Sequence, residues 1–178
     1  MTAVAAVLAL AGCNQAKPRH TPPDPFAAPP PQASTAEPMS DGLERRSEVA
    51  PFTFDHIGAA FSPLTRTPAV TPSGRPTVLD GFGFDPVGRT PAKGIDVVVD
   101  GKAYGSAYGG ARQDVVRYFK APWLLDTGFK ATLPAASLPP GPHTARVRVI
   151  STDGKAYFDG PPVAFQVAAE AGPKSGTP

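Results

Sequence analysis

Thr144-Ala145-Arg146-Val147-Arg148-Val149 sets Ala145, Val147 and Val149 against Thr144, Arg146 and Arg148 in strict alternation. Successive side chains of a strand point to opposite faces, so this stretch reads as a strand with one face in a core and the other in water. Such a half-exposed strand belongs to an antiparallel sheet. The same period recurs outward from it. Gly128-Phe129-Lys130-Ala131-Thr132-Leu133 directs Phe129, Ala131 and Leu133 inward, and Val163-Ala164-Phe165-Gln166-Val167 supplies a last strand. Ile95-Asp96-Val97-Val98-Val99-Asp100 is the clearest β-branched run, with Ile95, Val97 and Val99 sharing a side. Asp100-Gly101 is a strong hairpin signal, which predicts that Lys102 to Ala107 returns beside it.

Nearer the N-terminus, Phe52-Thr53-Phe54-Asp55-His56-Ile57 begins with apolar residues at alternate positions and reads as a first strand. The stretch Pro76–Phe84 reads as a second, with Phe82 and Phe84 on one face. Two aromatic rings bury a large area, so that face is expected to point inward. Asp96 and Asp100 are expected on solvated faces. Gln113–Phe119 fits a helical turn or a short strand equally well, while Leu138-Pro139-Pro140-Gly141 and Asp153-Gly154 mark turns. About seven short strands spaced by Gly and Pro turns, with no long helical period, predict an all-β fold: an antiparallel β-sandwich of two sheets.

Composition divides the chain of 178 residues and 24 prolines. Between Asn14 and Ala50 the prolines crowd together, and the large apolar residues are only Phe26, Met39, Leu43 and Val49. Too little apolar surface is present there to offset the entropy of ordering, so 13–50 is expected to be a disordered linker, with Glu44-Arg45-Arg46 solvated. Pro-rich chain extends by roughly 3 Å per residue, which gives a tether on the order of 100 Å. The folded domain is expected over 51–169, followed by a disordered tail over 170–178. The net charge of +2, with acidic and basic residues interspersed, lacks the footprint of a nucleic-acid partner.

At the N-terminus an apolar run from Ala3 to Leu10 ends in Leu10-Ala11-Gly12-Cys13, which resembles a bacterial lipobox. The run is far below the roughly 20 apolar residues that span a bilayer and reads as the core of a signal peptide over 1–12. The resemblance implies that Cys13 becomes the lipidated first residue of the mature protein. It also implies a membrane partner through that lipid and a place in the bacterial cell envelope. In that family an Asp after the cysteine holds the protein at the inner membrane; Asn14 stands here, which points to the outer membrane, facing the periplasm. The single cysteine is accounted for in this way.

A second resemblance runs from Pro76 to Gly154. Gly81-Phe82-Gly83-Phe84-Asp85, Val97-Val98-Val99-Asp100-Gly101, Tyr108-Gly109 with Arg112-Gln113-Asp114-Val115, Gly128-Phe129, and Gly141-Pro142-His143-Thr144 are similar in order and spacing to bacterial immunoglobulin-like modules. These modules occur on exported proteins and beside glycan-handling enzymes. The family implies an immunoglobulin-like sandwich of about seven strands and a non-catalytic role.

Chemistry-bearing motifs are sparse. A zinc site needs three or four ligands at suitable spacing, whereas His20, His56 and His143 are scattered and the one thiol is engaged. No nucleophile elbow, phosphate loop or complete dinucleotide fingerprint occurs, so neither metal, cofactor nor enzymatic activity is expected. Arg112 and Asp114, two apart, share a side in extended chain; they read first as a pair pinning the loop after Gly110 and second as part of a binding surface. Trp123 is the only tryptophan and reads either as a stacking platform or as a ring capping the sandwich. Tyr104 and Tyr108 either extend that surface or belong to the core. The expected function is a lipid-anchored module binding an envelope protein or glycan; the alternative is an accessory subunit of an envelope complex.

Overall fold

In the computed structural model, residues 36–65 and 69–169 are described; Cys13, the signal-peptide stretch and the tail lie outside them. Twelve strands, one short helix and two single 3-10 turns follow in order. They are β1 (Glu44–Arg46), β2 (Phe52–Ile57), β3 (Ala60–Phe61), β4 (Ala69–Pro72), β5 (Thr77–Gly83), β6 (Gly94–Val99), β7 (Lys102–Gly105) and β8 (Ala107–Gly110). Then come α1 (Gln113–Phe119), the turn Pro122–Leu124, β9 (Gly128–Leu133), the turn Ala135–Ser137, β10 (Gly141–Ile150), β11 (Ala156–Asp159) and β12 (Val163–Ala168).

The alternating stretch around Val147 lies within β10, the longest strand, and organises the first sheet. Along one side β6 pairs antiparallel from Ala145↔Val99 to Ile150↔Gly94. On the other side β12 takes Gly141–Ala145 and β11 takes Arg148–Ile150. β7 continues the sheet beyond β6, while β4 and β1 join β12 and β11 in parallel. The second sheet runs β3-β2-β5-β9-β8, with every pair antiparallel. Ala145, Val147 and Val149 are fully buried, as are Ala131 and Leu133 of β9, and Phe129 nearly so. They meet Phe54, Ile57, Leu79, Phe158 and Phe165 in one core between the sheets. Asp100 and Gly101 both have positive φ, at 48° and 86°, the geometry a two-residue hairpin turn requires.

Several expectations are corrected. The fold is mostly β, but it has twelve described strands in place of about seven, and two parallel pairs mean that the first sheet is mixed. The expected linker over 13–50 is too long, because from Ala36 onward the chain lies on the first sheet. Glu44–Arg46 pair with Ala156–Phe158, and Ser40 and Ala50 are buried. Asp96 and Asp159 help to hold this segment. Asp96 is completely buried and accepts the N–H of Met39 at 3.0 Å and of Ser40 at 2.7 Å. Arg45 reaches Asp159 of β11 at 3.2 Å, beside Arg148 at 3.0 Å. Asp96 is therefore no solvated strand residue; a carboxylate with no exposure is tolerable because charged acceptors bond backbone donors strongly.

Phe82 and Phe84 also point outward, not inward. The inward positions of β5 are Thr77, Leu79, Gly81 and Gly83. At Gly83 a Cβ would come within 2.9 Å of Ile95 Cδ1, so core side chains of β6 fill the space a ring would need. The undecided stretch Gln113–Phe119 is α1, which covers the outward rings.

At the start of β10, His143 is buried, stacked on Phe165 at 5.4 Å, and sits between two acceptors. Its Nδ1 is 2.6 Å from Asp100 Oδ2 and its Nε2 is 2.7 Å from the Pro139 carbonyl. Both partners accept, so both ring nitrogens carry hydrogens and the ring is an imidazolium. Burial pulls the His143 pKa down, but the bonds to Asp100 and Pro139 outweigh it and the net shift is upward. Burial likewise opposes, and the His143 and Thr144 bonds overcome, so that the Asp100 pKa falls.

Two outcomes are expected. Asp96→Ala leaves two backbone donors without their acceptor and lowers stability by about 2–3 kcal/mol in urea unfolding, with faster proteolysis between residues 36 and 50; a solvated linker would show neither change. The His143–Asp100 pair contributes fully below the unfolded histidine pKa of 6.5 and above the unfolded aspartate value of 3.8. Stability falls as pH rises through the raised histidine pKa and again as it drops through the lowered aspartate pKa. His143→Phe flattens both limbs in a pH series of melting temperatures.

Candidate functional site

The outer face of the second sheet carries the chemistry. β2 and β5 pair Phe54 with Gly81 and then His56 with Asp80, so Asp55 is an extra, bulged residue. A bulge re-aims side chains, and here Asp55 and His56 both line one hollow. His56 Nδ1 is 2.8 Å from Asp80 Oδ1, and Lys130 stands opposite Asp80 on β9. Neither residue of that pair is deeply buried.

Arg112 is the junction of the face. Its backbone N–H donates to Leu125 O at 2.7 Å, and its carbonyl accepts from Val116 at 3.0 Å, opening α1. The guanidinium grips Asp114 with both arms, Nε at 2.9 Å and Nη2 at 2.6 Å, and gives Nη1 to Asp55 at 2.7 Å. It also lies 5.3 Å from the centre of the Phe82 ring. The hydrogen bonds from Arg112 hold the Asp114 carboxyl well below its usual range, at about 2. Glycine at 128 permits the arrangement: a Cβ there would come 2.8 Å from Gly110 O and 3.3 Å from the Arg112 stem.

Beyond Arg112 the rings form a row. Phe82 and Phe84 meet Phe119 edge-on at 6.0 and 6.4 Å, Tyr118 meets Phe119 at 5.0 Å, and Phe84 meets Trp123 at 5.2 Å. Edge-to-face packing of this kind fixes rings while leaving faces open. Tyr118 is 81% exposed, Phe119 47% and Trp123 36%. Val115 and Leu124 anchor the helix and the following turn from below. Three hollows of about 500, 510 and 560 Å³ run along this face; the first two share Asp55 and Arg112, the last two Phe119.

Of the residues singled out from sequence, Arg112, Asp114 and Trp123 come together here. Tyr104 does not, and Tyr108 contributes only to the wall of the first hollow. Tyr108 turns inward, donates its hydroxyl to Gly83 O at 2.9 Å and accepts the Ala92 N–H at 3.0 Å. Burial, opposed by the bond from Ala92, raises its pKa to about 12. Tyr104 is on β7 of the other sheet, packed against the core with Lys102 over its ring at 5.2 Å. Sequence reasoning missed Asp55, His56, Asp80, Lys130, Tyr118 and Phe119. Assigning Gln113–Phe119 as a helix would have put Val115 and Phe119, four apart, on one inward-leaning face and left Tyr118 outside. Nothing in the sequence marks the bulge at Asp55.

Among the described residues no group of three or more His, Cys, Asp or Glu side chains is placed to hold a metal ion, and no helix is long and apolar enough to cross a membrane. The fold and face together define a mostly β, two-sheet protein with an aromatic and ion-paired strip on one sheet. No family model, curated protein or solved structure matches the chain.

Tyr108→Phe is expected to cost about 1–2 kcal/mol in thermal or urea unfolding, since it orphans a carbonyl and an N–H.

Proposed function

We propose that this protein is a lipoprotein of the bacterial cell envelope whose immunoglobulin-like module binds a glycan, without turning it over, on the outer face of the second sheet. The lipid on Cys13 holds it to the outer membrane on the periplasmic side. Two or three acyl chains make a durable anchor, since each buried methylene adds about 0.8 kcal/mol.

Strand order supports the immunoglobulin-like part of the reading. In that fold one sheet carries the first, second, fifth and fourth strands and the other the third, sixth and seventh. Taking β2, β5, β6, β8, β9, β10 and β12 as the seven in chain order gives β2-β5-β9-β8 in one sheet and β6-β10-β12 in the other. The remaining strands are additions at edges.

The observation that carries the binding reading is the exposed row Tyr118, Phe119 and Trp123, joined through Phe84 and Phe82 to Arg112 clamped between Asp55 and Asp114. A polyhydroxylated ring needs an aromatic face for its C–H surface and fixed donors and acceptors for its hydroxyls. Both are contiguous here. The same residue types also serve as hot spots for a protein partner in an accessory subunit; retention on polysaccharide separates the two.

Retention in affinity gels containing envelope polysaccharide is expected to fall at least tenfold in Tyr118→Ala and in Trp123→Ala, with unchanged circular dichroism. Full retention in both variants removes the glycan reading. Palmitate labelling present in wild type and absent in Cys13→Ser is the matching outcome for the anchor; equal labelling removes it.

A further inference from the structure

The aromatic row and Arg112 occupy only part of the outer face. Four residues back from Phe84, which follows the end of β5, stands Asp80, about 13 Å away at about 3.3 Å per residue. There the hollow of about 500 Å³ is walled by Asp55, His56, Asp80, Arg112 and Lys130, and Gly128 leaves part of its wall without a side chain. One oxygen of Asp80 accepts from His56, which leaves the other for a ligand. Lys130 is exposed and has no ion-pair partner among the described residues. The His56 ring leads on to Phe61, 5.3 Å away and 57% exposed, so a second aromatic surface closes the far end. Stacking surface and polar groups thus occur twice on one face, joined through Asp55 and Arg112.

We infer that the hollow at His56, Asp80 and Lys130 is a second subsite, and that the ligand is an uncharged glycan chain of several linked rings lying across both. The inference rests on the proposed glycan binding and adds to it the length and charge of the ligand. Length follows from the spacing, because one ring cannot touch Trp123 and Asp80 together. Charge follows from the balance of the strip: Asp55, Asp80 and Asp114 stand against Arg112, Lys130 and Arg89. Equal numbers leave no field to attract a polyanion. Acceptors at Asp80 and at the free Nε2 of His56, with a donor at Lys130, suit hydroxyl groups, which both give and take hydrogen bonds.

The test uses the soluble chain and cello-, chito-, malto- and manno-oligosaccharides of two and six units, titrated calorimetrically. At least one series is expected to bind, the six-unit member tenfold or more tighter than the two-unit member. Asp80→Asn and Lys130→Ala each cut six-unit affinity about tenfold toward the two-unit value, leave two-unit binding unchanged, and melt at the wild-type temperature. Trp123→Ala weakens both lengths. If six units bind no tighter than two, or if both Asp80→Asn and Lys130→Ala leave six-unit affinity intact, the second subsite is overturned while glycan binding stands. If no series binds at either length, both readings fall. Preference for an anionic polymer such as polygalacturonate over every uncharged series overturns the charge assignment.

Discussion

Everything in this molecule hangs on β10 being paired along both sides while its inward residues are small and branched. Ala145, Val147 and Val149 lie at the middle of the core with β6 on one flank and β12 and β11 on the other. A strand with two partners cannot slip by one residue without turning Arg146 and Arg148 into the core, so register is set by a penalty no other strand could offset. Ten residues long, β10 is shared by two different neighbours on one side, and this lets the chain add the β11 edge without disturbing β12.

That arrangement explains why the first sheet is closed off and the second left open. The segment from Ala36 to Arg46 crosses the outer side of β6, tied to Asp96 and ended by β1 on β11. Among the described residues, the corresponding side of the second sheet is covered only at one end, by α1 and the turn at Trp123. What remains uncovered there is the strip of paired charges and rings. Ala36, the first described residue, lies against Gly105 of β7, on the sheet opposite the strip.

How the strip is held also limits what it does. Arg112 is fixed by three carboxylate contacts and by backbone bonds in both directions, so its guanidinium is spent largely on position. The rings of the row pack edge to face, which holds each against its neighbours. A histidine and an aspartate sit in hydrogen-bond contact at its far end, yet the pair is bound into the sheet and functions here as one wall of the hollow.

Local pattern alone determined most of the strands. Alternation at Thr144–Val149, Gly128–Leu133 and Val163–Val167 is a property of neighbours in sequence, and Asp100-Gly101 carries its turn geometry in its own residues. The pair Arg112–Asp114 was legible for the same reason, being two residues apart. Other features were decided only by contacts between distant parts. Phe82 faces outward because core residues of β6 occupy the space opposite Gly83, and Asp96 is buried because a segment some 57 residues away supplies its donors. The bulge at Asp55 exists because β2 must match β5 on either side of it. Hydrophobicity and period specify which residues want a core, whereas which face a neutral position shows is set by what packs over it, and that is a property of the assembled chain.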